Sequence, residues 1–390
     1  MFSRRLPWDA PVNRLTERLR ERVRAGFTVL DLTVSNPTSA GIPYPGRAIL
    51  EAVASEEGLL YTPEPRGSLA AREAIARRYA GEGYSVDPGA LVLCSSTSEA
   101  YAWLFRLLAD PGDEVLVPAP SYPLFEFLAG LEGVRVASYP LAYRDGWELD
   151  ADEIAERLGD RTRAVVLVHP NNPTGSYVKR HELQALRVAC AGREVALIAD
   201  EVFYEYPLRI DPHRAATLAT EDELPAFALG GLSKSCGLPQ MKLAWIALAG
   251  PRAFRERAGA ALEWIADTYL PVSAPVQAAA PALLELGREV RDAIRGRTAR
   301  NLAALARRVG SSSACSVLDV EGGWSAVVRL PAVHDAGAWA ERLLDGPGIL
   351  VQPGYFYDFA GEAYVVVSLL TPVREFDAGI AALVECAAIP

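Results

Sequence analysis

The stretch FALGGLSKSCGLPQMKLAWIALAG, residues 227–250, combines two short apolar runs with two lysines. The runs FALGGLS and LAWIALAG have the length and composition of strands that are buried on both faces. Lys234 and Lys242 lie between them, and Lys179 is the third and last lysine, although lysine and arginine together number 39. This bias raises the question of what an amine supplies at these positions that a guanidinium does not.

Similar apolar runs precede helical patterns along the first two thirds of the chain. They are LVLC (91–94), EVLVPAP (114–120), AVVLVH (164–169) and EVALIAD (194–200). Short buried strands that alternate with helices indicate an α/β fold with a mostly parallel sheet. We therefore expect a large domain over residues 45–278, built on this sheet and flanked by helices.

The pattern changes after YLPVSAPVQ (269–277), a segment with two prolines. An arginine-rich helical stretch follows, and then the alternating segments GGWSAVVRLP and AYVVVSLL. These features predict a smaller α+β domain over residues 279–390. We expect the N-terminal segment, residues 1–44, to pack with this small domain.

Composition restricts the possible partners and compartments. The net charge of −10 and the pI near 5.1 argue against nucleic acid as a partner. The five cysteines (94, 190, 236, 315 and 386) include no CxxC pair, which fits free thiols in a reducing compartment. No apolar run approaches the roughly 18 residues of a membrane span. We predict a cytoplasmic protein that binds neither membrane nor nucleic acid, and we predict no metal site.

Polar motifs follow several of the apolar runs, where an open parallel sheet binds its ligands. The hydroxyl residues of CSSTSEA (94–100) open a helix, where free amides suit a phosphate, although an ordinary N-cap is the simpler interpretation. HPNNPTG (169–175) would project an amide into a cleft, or would form a turn without a ligand. Asp200 ends a strand and needs a partner such as a protonated ring nitrogen. Lys234 follows the next strand, and an amine can form a Schiff base whereas a guanidinium ordinarily cannot.

In this order the motifs resemble the class I/II aminotransferases, which are pyridoxal-phosphate enzymes of fold type I. The matching segments are SNPT (35–38), YTPEPRG (61–67), DPGDEVLVPAPSYP (110–123), NNPTG (171–175), ADEVF (199–203), LSK (232–234) and PGYF (353–356). They cover nearly the whole chain. The resemblance implies a large domain with a mostly parallel sheet, a small domain from the two chain ends, and pyridoxal 5′-phosphate as cofactor. It also implies transfer of an amino group from an amino acid to a 2-oxo acid.

The resemblance assigns roles to single residues. Lys234 matches the lysine that forms the Schiff base and then moves the α-proton, and Asp200 matches the carboxylate that keeps the ring nitrogen protonated. Asn172 matches the amide that binds the phenolic oxygen, and Tyr122 matches the ring that stacks on the cofactor. The remaining implied cofactor contacts are Ser96, Thr97, Ser98, Phe203, Ser233, Lys242 and Tyr61.

Some of these roles reach the substrate or a second subunit. Tyr61 matches a tyrosine that contacts the phosphate in the neighbouring subunit, so the resemblance implies a homodimer with shared active sites. Ser35 and Asn36 fall on a segment that lines the substrate side. Aromatic residues fall on segments that wall the substrate pocket, although core packing explains each of them equally well: Trp324, Tyr355, Phe356 and Tyr357.

The sequence departs from the family pattern at several positions. Lys242 stands where the family has a phosphate-binding arginine, and Gly231 replaces a serine. Phe203 stands where many members have a tyrosine, for which the adjacent Tyr204 is a substitute only if the local backbone is shifted. Val366, two residues before Ser368, occupies the position of the arginine that binds the substrate α-carboxylate.

Another arginine must then hold the carboxylate, or the substrate is held differently. We rank Arg66 first because it follows Tyr61, ahead of Arg329 and Arg374. The missing arginine also leaves open another pyridoxal-phosphate reaction, such as β-elimination, racemisation or oxidative deamination. A non-catalytic regulator is disfavoured because only about 30 residues precede LDLTVSNPT and the chain is acidic.

Overall fold

An eight-stranded sheet occupies the middle of the large domain of the computed structural model, which describes residues 2–3, 5, 12–310, 314–361 and 363–388. Residues 1, 4 and 6–11 of the predicted N-terminal segment lie outside the described residues. The same holds for 311–313, 362 and 389–390 of the predicted C-terminal domain.

The described residues form fourteen strands. They are β1 (Leu30–Asp31), β2 (Leu91–Cys94), β3 (Glu114–Ala119), β4 (Arg135–Tyr143), β5 (Trp147–Leu149), β6 (Thr162–Val168), β7 (Ala196–Asp200), β8 (Ala226–Gly231), β9 (Ala244–Ala249), β10 (Ser316–Val317), β11 (Ser325–Arg329), β12 (Ile349–Leu350), β13 (Gln352–Pro353) and β14 (Tyr364–Ser368).

The α-helices of the described chain number twelve. They are α1 (Arg14–Arg24), α2 (Gly46–Val53), α3 (Leu69–Gly81), α4 (Thr97–Leu108), α5 (Phe125–Glu132), α6 (Ala151–Arg157), α7 (Arg180–Cys190), α8 (Leu232–Ser235), α9 (Arg252–Tyr269), α10 (Ala274–Gly310), α11 (Ala336–Asp345) and α12 (Val373–Ala387).

The large sheet has the order β2-β9-β8-β7-β6-β3-β4-β5. The five strands β8, β7, β6, β3 and β4 run parallel, and β9 is antiparallel to both of its neighbours. Strand β5 adds an antiparallel edge next to β4. Every residue of β2, β7, β8 and β9 is buried, which confirms that these apolar runs are covered on both faces.

Helices cover both faces of this sheet and complete two apolar cores. One core contains Ile75 of α3 and Leu283 of α10, and the other contains Phe105 of α4 and Leu262 of α9. Alternate residues of each strand point to opposite faces, so neighbouring residues of one strand belong to different cores. Both faces of the sheet are thereby packed against helices.

The small domain contains a four-stranded antiparallel sheet of order β10-β11-β14-β13. The N-terminal segment packs on it: Leu15 and Leu32 join its core, and β1 pairs in parallel with β12. The glutamate side chain of Glu341 on α11 forms an ion pair with Arg14 of α1 at 3.0 Å. The long helix α10 runs without a break across position 278, where we expected the domains to divide.

Candidate active site

The carboxyl ends of β7 and β8 bring Asp200 and Lys234 to the same edge of the sheet. The two strands are parallel, and Asp200 lies opposite Leu229 in their register. Asp200 is the last residue of β7, and Lys234 follows β8 in the four-residue helix α8. Both side chains therefore lie where an open α/β sheet binds its ligand.

The carboxylate of Asp200 is buried, with 8% of the residue exposed. Its Oδ2 accepts a hydrogen bond from the Tyr101 hydroxyl at 3.1 Å, and its Oδ1 accepts from the Val202 amide at 3.2 Å. Burial raises the pKa of Asp200 to about 6, against the opposing effects of these two donors and of the Lys234 charge. The site thus holds a desolvated carboxylate for which a nearby cation would be a strong partner.

The Lys234 amine lies among aromatic rings. Its Nζ is 5.2 Å from the centre of the Trp324 ring and 5.7 Å from that of Phe203. Burial lowers the pKa of Lys234, and the charge of Asp200 opposes this effect. The Tyr206 hydroxyl donates a hydrogen bond to the Lys234 carbonyl and so positions the backbone of α8. An amine with a lowered pKa is uncharged more often, which makes it a better nucleophile and base.

The two asparagines of HPNNPTG have different surroundings. Asn171 is buried and serves the local backbone: its Oδ1 accepts from the Ser121 hydroxyl at 2.8 Å, and its Nδ2 donates to the Pro120 carbonyl at 2.9 Å. The Oδ1 of Asn172 accepts from the Ser325 hydroxyl of the small domain at 3.3 Å. This bond joins the turn after β6 to the start of β11, directly after Trp324.

The N-terminus of α4 carries the hydroxyl residues 96–98. The Ser96 side chain caps the helix and accepts from the Glu99 amide at 3.1 Å, as in an ordinary N-cap. Lys242 is exposed and lies close enough to lower the pKa of Cys94, whose own burial raises it. A helix N-terminus and a nearby lysine together provide positive potential for a phosphate. Thr97 and Ser98 belong to the first turn of this helix, and Ser233 is half-buried next to Lys234.

Four other predicted contacts are exposed. Tyr122 is 40% exposed, meets the Phe125 ring edge-on and lies within electrostatic reach of Asp200. Tyr61 is 67% exposed. Ser35 is exposed, and the Asn36 side chain accepts from the Thr38 amide at 3.1 Å, so it stabilises its own turn.

Tyr355 and Phe356 lie at a cleft of about 460 Å³ beside Tyr122. The Tyr355 hydroxyl accepts a hydrogen bond from Asn13 at 3.3 Å, which joins the N-terminal segment to this wall. Tyr357 is buried and its carbonyl accepts from the Ser121 amide at 3.0 Å, so it supports the backbone next to Tyr122.

Arg66, ranked first as the residue that replaces the missing arginine, has hydrogen-bond partners within its own chain. Its Nε pairs with Glu263 at 2.8 Å, and its Nη1 donates to the Gly89 carbonyl at 2.8 Å. Gly89 precedes β2, which runs in the same direction as β8, so this guanidinium reaches toward the edge opposite Lys234. The Glu263 carboxylate and the Gly89 carbonyl hold the guanidinium there.

The side chains of Arg329 and Val366 also have their contacts away from the Lys234 site. Arg329 ends β11, and its Nε donates to the Ser316 hydroxyl at 3.1 Å, at the far end of the strand from Ser325. Arg374 is exposed on the first turn of α12. Val366 is 1% exposed and packs in an apolar cluster with Trp147.

Tyr204 does not substitute for a tyrosine at position 203. Its hydroxyl pairs with the Tyr84 hydroxyl at 2.8 Å, and its ring packs against His169. Phe203 instead lies with Trp324 beside Lys234, so adjacent residues of this segment point to opposite sides.

Sequence reasoning missed three residues that shape the site: Tyr101, Tyr206 and Ser325. Tyr101 contacts Asp200 from one turn inside α4, and the pattern of that helix marks it only as a core residue. Tyr206 donates to the Lys234 carbonyl, and Ser325 donates to the side-chain amide of Asn172. In each case the two residues lie far apart in the sequence. The one signal for Tyr206 in the sequence is that it follows Asp200 by six residues.

The donor set fits pyridoxal phosphate. It supplies a desolvated amine at Lys234, a buried carboxylate at Asp200, an amide at Asn172 and the N-terminus of α4. These groups suit, in turn, an aldehyde, a protonated ring nitrogen, a phenolic oxygen and a phosphate. No cluster of three or more metal-ligating side chains occurs among the residues that the structure describes.

Residues 28–372 match the model of the aminotransferase class I and II family. The arginine–pyruvate transaminase of Pseudomonas aeruginosa is 30% identical over 387 residues, covering 96% of this chain and 95% of that protein. The glutamate–pyruvate aminotransferase of Escherichia coli is 27% identical over 268 residues, which is 68% of this chain and 65% of that protein. An alanine aminotransferase structure from Pyrococcus furiosus matches with a TM-score of 0.89 at 22% identity, covering 100% of both chains.

The chain therefore belongs to the class I and II aminotransferases, pyridoxal-phosphate-dependent enzymes that transfer amino groups between amino acids and 2-oxo acids. This confirms the family, the fold class, the cofactor and the type of reaction that the motifs predicted. Within the described ranges, no helix has the length and apolar character needed to span a membrane.

Proposed function

We propose that Lys234 and Asp200 are the catalytic residues of an amino-group transfer from an amino acid to a 2-oxo acid. The observation that supports this assignment is the desolvated Lys234 amine beside the buried Asp200 carboxylate at the carboxyl edge of the sheet. Pyridoxal phosphate, when bound, withdraws electrons from the α-carbon of the substrate and so acidifies its proton.

The residues of this chain would divide the work as follows. Lys234 would hold the cofactor covalently through Nζ and, once displaced by the donor amine, would take the α-proton and deliver it to the former aldehyde carbon of the cofactor. Asp200 remains ionised next to the ring nitrogen, and Tyr101 keeps the carboxylate oriented. Asn172 donates to the phenolic oxygen, and residues 96–98 with Lys242 receive the phosphate.

The rings of Phe203 and Trp324 exclude water from one side of the Lys234 amine. They differ in that only the Trp324 ring carries a hydrogen-bond donor. The Phe203 ring has no group that could donate to the cofactor, so Asn172 alone would serve the phenolic oxygen from these segments. The buried Trp324 indole has no hydrogen-bond partner among the described residues. Together the rings keep the effective dielectric constant low around Nζ.

The acceptor that we propose to test first is pyruvate, because the names of two relatives include it. The carboxylate of the amino-acid donor is not bound at position 366, because the Val366 side chain is buried in an apolar cluster. We expect the wall formed by Tyr122, Tyr355 and Phe356 to admit donors with extended side chains.

The test is a panel of amino acids incubated with the holoenzyme and pyruvate, with alanine formation measured by chromatography. We expect alanine from at least one donor, and a loss of about 1,000-fold or more in Lys234→Ala, which lacks the proton-transfer group. Lys234→Arg is the matched control for charge and should be equally inactive. Ammonia or peroxide release without alanine would refute amino-group transfer, and an active Lys234→Ala would refute the role of this lysine.

We further propose a homodimer. Five apolar side chains in one stretch of sequence are exposed by 50% or more in the single chain: Leu50, Leu59, Leu60, Tyr61 and Leu69. A partner subunit would bury this apolar surface. Tyr61 would then reach the phosphate of the partner subunit.

We also propose that the domains divide between residues 44 and 45 and between residues 278 and 279. We propose a cytoplasmic location as well. The five cysteines are free, which supports a reducing compartment. Cell fractionation followed by immunoblotting checks the location, and recovery in an oxidising compartment would refute it.

A further inference from the structure

An arginine-rich cleft of about 650 Å³ lies behind the segment 200–206, on the side away from Lys234. It is formed by the end of α3, the start of α7, the loop 204–216 and α10. Four arginines and the paired hydroxyls of two tyrosines line it: Arg180, Arg214, Arg291, Arg295, Tyr84 and Tyr204. None of these residues contributes to the amino-transfer site described above.

Arg214 is held rigidly at this cleft. Its guanidinium lies 3.8 Å from the ring centres of both Tyr177 and Tyr204, and its Nη2 donates to the Tyr204 carbonyl at 2.8 Å. No carboxylate of the described residues forms an ion pair with it, and its buried Nε has no hydrogen-bond partner among them. A guanidinium that is already ordered loses little entropy when it binds an anion.

The acidic side chains of the cleft are neutralised by other cations. Glu205 is 6% exposed and pairs with Arg78 at 2.5 Å and with Arg291. Asp211 shares the Lys179 ammonium with Glu321, at 2.6 and 2.5 Å, and Glu321 also pairs with Arg209 at 2.8 Å. The Glu201 carboxyl acts on Arg214 through its charge, but neither Arg180 nor Arg214 forms an ion pair with a carboxylate of the described residues.

A third carboxyl, that of Glu82, faces Glu205, Arg78 and Arg291. Burial and the Glu205 charge raise the pKa of Glu82 to about 7, and the two arginines oppose this shift. Near neutral pH this carboxyl is thus partly protonated and offsets only part of the positive charge.

We propose that this cleft is a second binding site, for a small dianion whose oxygens belong to carboxylate, phosphate or sulfate groups. Arg214 and Arg180 supply the charge, and the Tyr84–Tyr204 hydroxyl pair supplies a further donor. The site adjoins the catalytic segment: the Tyr204 ring packs on His169, whose amide donates to the Asp200 carbonyl at 2.8 Å. A bound dianion would therefore contact, through Tyr204 and His169, the segment that carries Asp200.

The probe is inorganic sulfate, titrated calorimetrically into the holoenzyme at constant ionic strength, with succinate as a second probe. Sulfate tests tetrahedral oxyanions and succinate tests carboxylates. We expect saturable binding of at least one probe, weakened about tenfold or more in Arg214→Met, because each charged hydrogen bond that is lost costs roughly a factor of ten.

Two further variants keep this result interpretable. Arg180 is exposed and its Nε contacts only the Arg214 carbonyl at 3.3 Å, so Arg180→Met should fold normally and also bind at least several-fold more weakly. Arg47→Met removes an exposed arginine of α2 and should leave binding unchanged. Absence of saturable binding for both probes, or equal affinity in all variants, would overturn the proposal while leaving amino-group transfer untouched.

The cleft also predicts a pH dependence for sulfate, whose own charge is constant above pH 4. As the pH falls through about 7, Glu82 takes up a proton and the cleft loses a negative charge. Burial also raises the pKa of Glu201, whose charge acts on Arg214, to about 7. Sulfate should therefore bind several-fold more tightly at pH 6 than at pH 8, and the difference between the two pH values should be smaller in Glu82→Gln. An unchanged pH dependence in Glu82→Gln would refute the part assigned to this carboxyl.

Discussion

Replacing Asp200 with asparagine is expected to stabilise the cofactor-free chain at pH 8 and to slow amino-group transfer. The native carboxyl is buried and its pKa is raised from the ordinary 3.8 to about 6, chiefly by desolvation. Since each pH unit of displacement corresponds to about 1.4 kcal/mol, the ionised group costs about 3 kcal/mol of folding free energy above pH 7. The amide of asparagine has nearly the same shape and carries no charge, so the variant avoids this cost.

The sign of the pH dependence follows from proton binding. Between about pH 4 and 6 the native state holds the proton of Asp200 while the unfolded state has released it. Stability therefore falls as the pH rises through this window, and the advantage of Asp200→Asn grows over the same range. We expect the advantage to be about 3 kcal/mol at pH 8, about half of that at pH 5, and negligible near pH 3.

The assay is urea unfolding of the apoprotein by circular dichroism at several pH values, with the variant compared with the wild type at each pH. The exposed Asp145→Asn, in the turn between β4 and β5, controls for the loss of one carboxylate. A variant that is less stable than the wild type at pH 8, or a difference that is equal at pH 5 and pH 8, would refute the reasoning.

Two further perturbations test the packing of the chain. Asn301→Leu should lower the free energy of unfolding by roughly 2–4 kcal/mol in urea, because the fully buried Nδ2 donates to the Leu369 and Thr371 carbonyls at 2.8 Å each, and both would lose this donor. Thr298→Val, which removes a bond within α10 only, should cost less, and an equal loss would contradict this account. Leu60→Glu should shift the sedimenting species from a dimer to the 42.0 kDa monomer, and an unchanged species would argue against the proposed dimer surface.

The positions of Lys234 and Asp200 could be predicted because they depend on a short-range rule. Each follows or ends an apolar run, and parallel strands end at one edge of the sheet. The same rule located Asn172 after β6 and the hydroxyl residues after β2. Within HPNNPTG the sequence distinguishes the two asparagines poorly, and only their hydrogen bonds separate the buried Asn171 from Asn172.

The direction of long side chains could not be predicted in this way. Arg66 follows Tyr61 in the sequence, yet its guanidinium is drawn toward Glu263 of α9 and the Gly89 carbonyl. Tyr204 turns away from Lys234 because its hydroxyl pairs with Tyr84. These partners lie far away in the sequence, so no local sequence pattern predicts the contacts.

By itself, the sequence determined the class of this protein: apolar runs of strand length predict a mostly parallel sheet, and the motifs that follow them resemble those of the class I/II aminotransferases. The lysine at 234 follows from chemistry that arginine does not share. Only the tertiary structure decided how strongly the environment perturbs these groups. The hydrogen bond from Tyr101 to Asp200 and the rings of Phe203 and Trp324 near Lys234 depend on contacts between segments that are distant in the chain. The arginine-rich cleft has the same origin, because α3, α7 and α10 meet there only when the chain is folded.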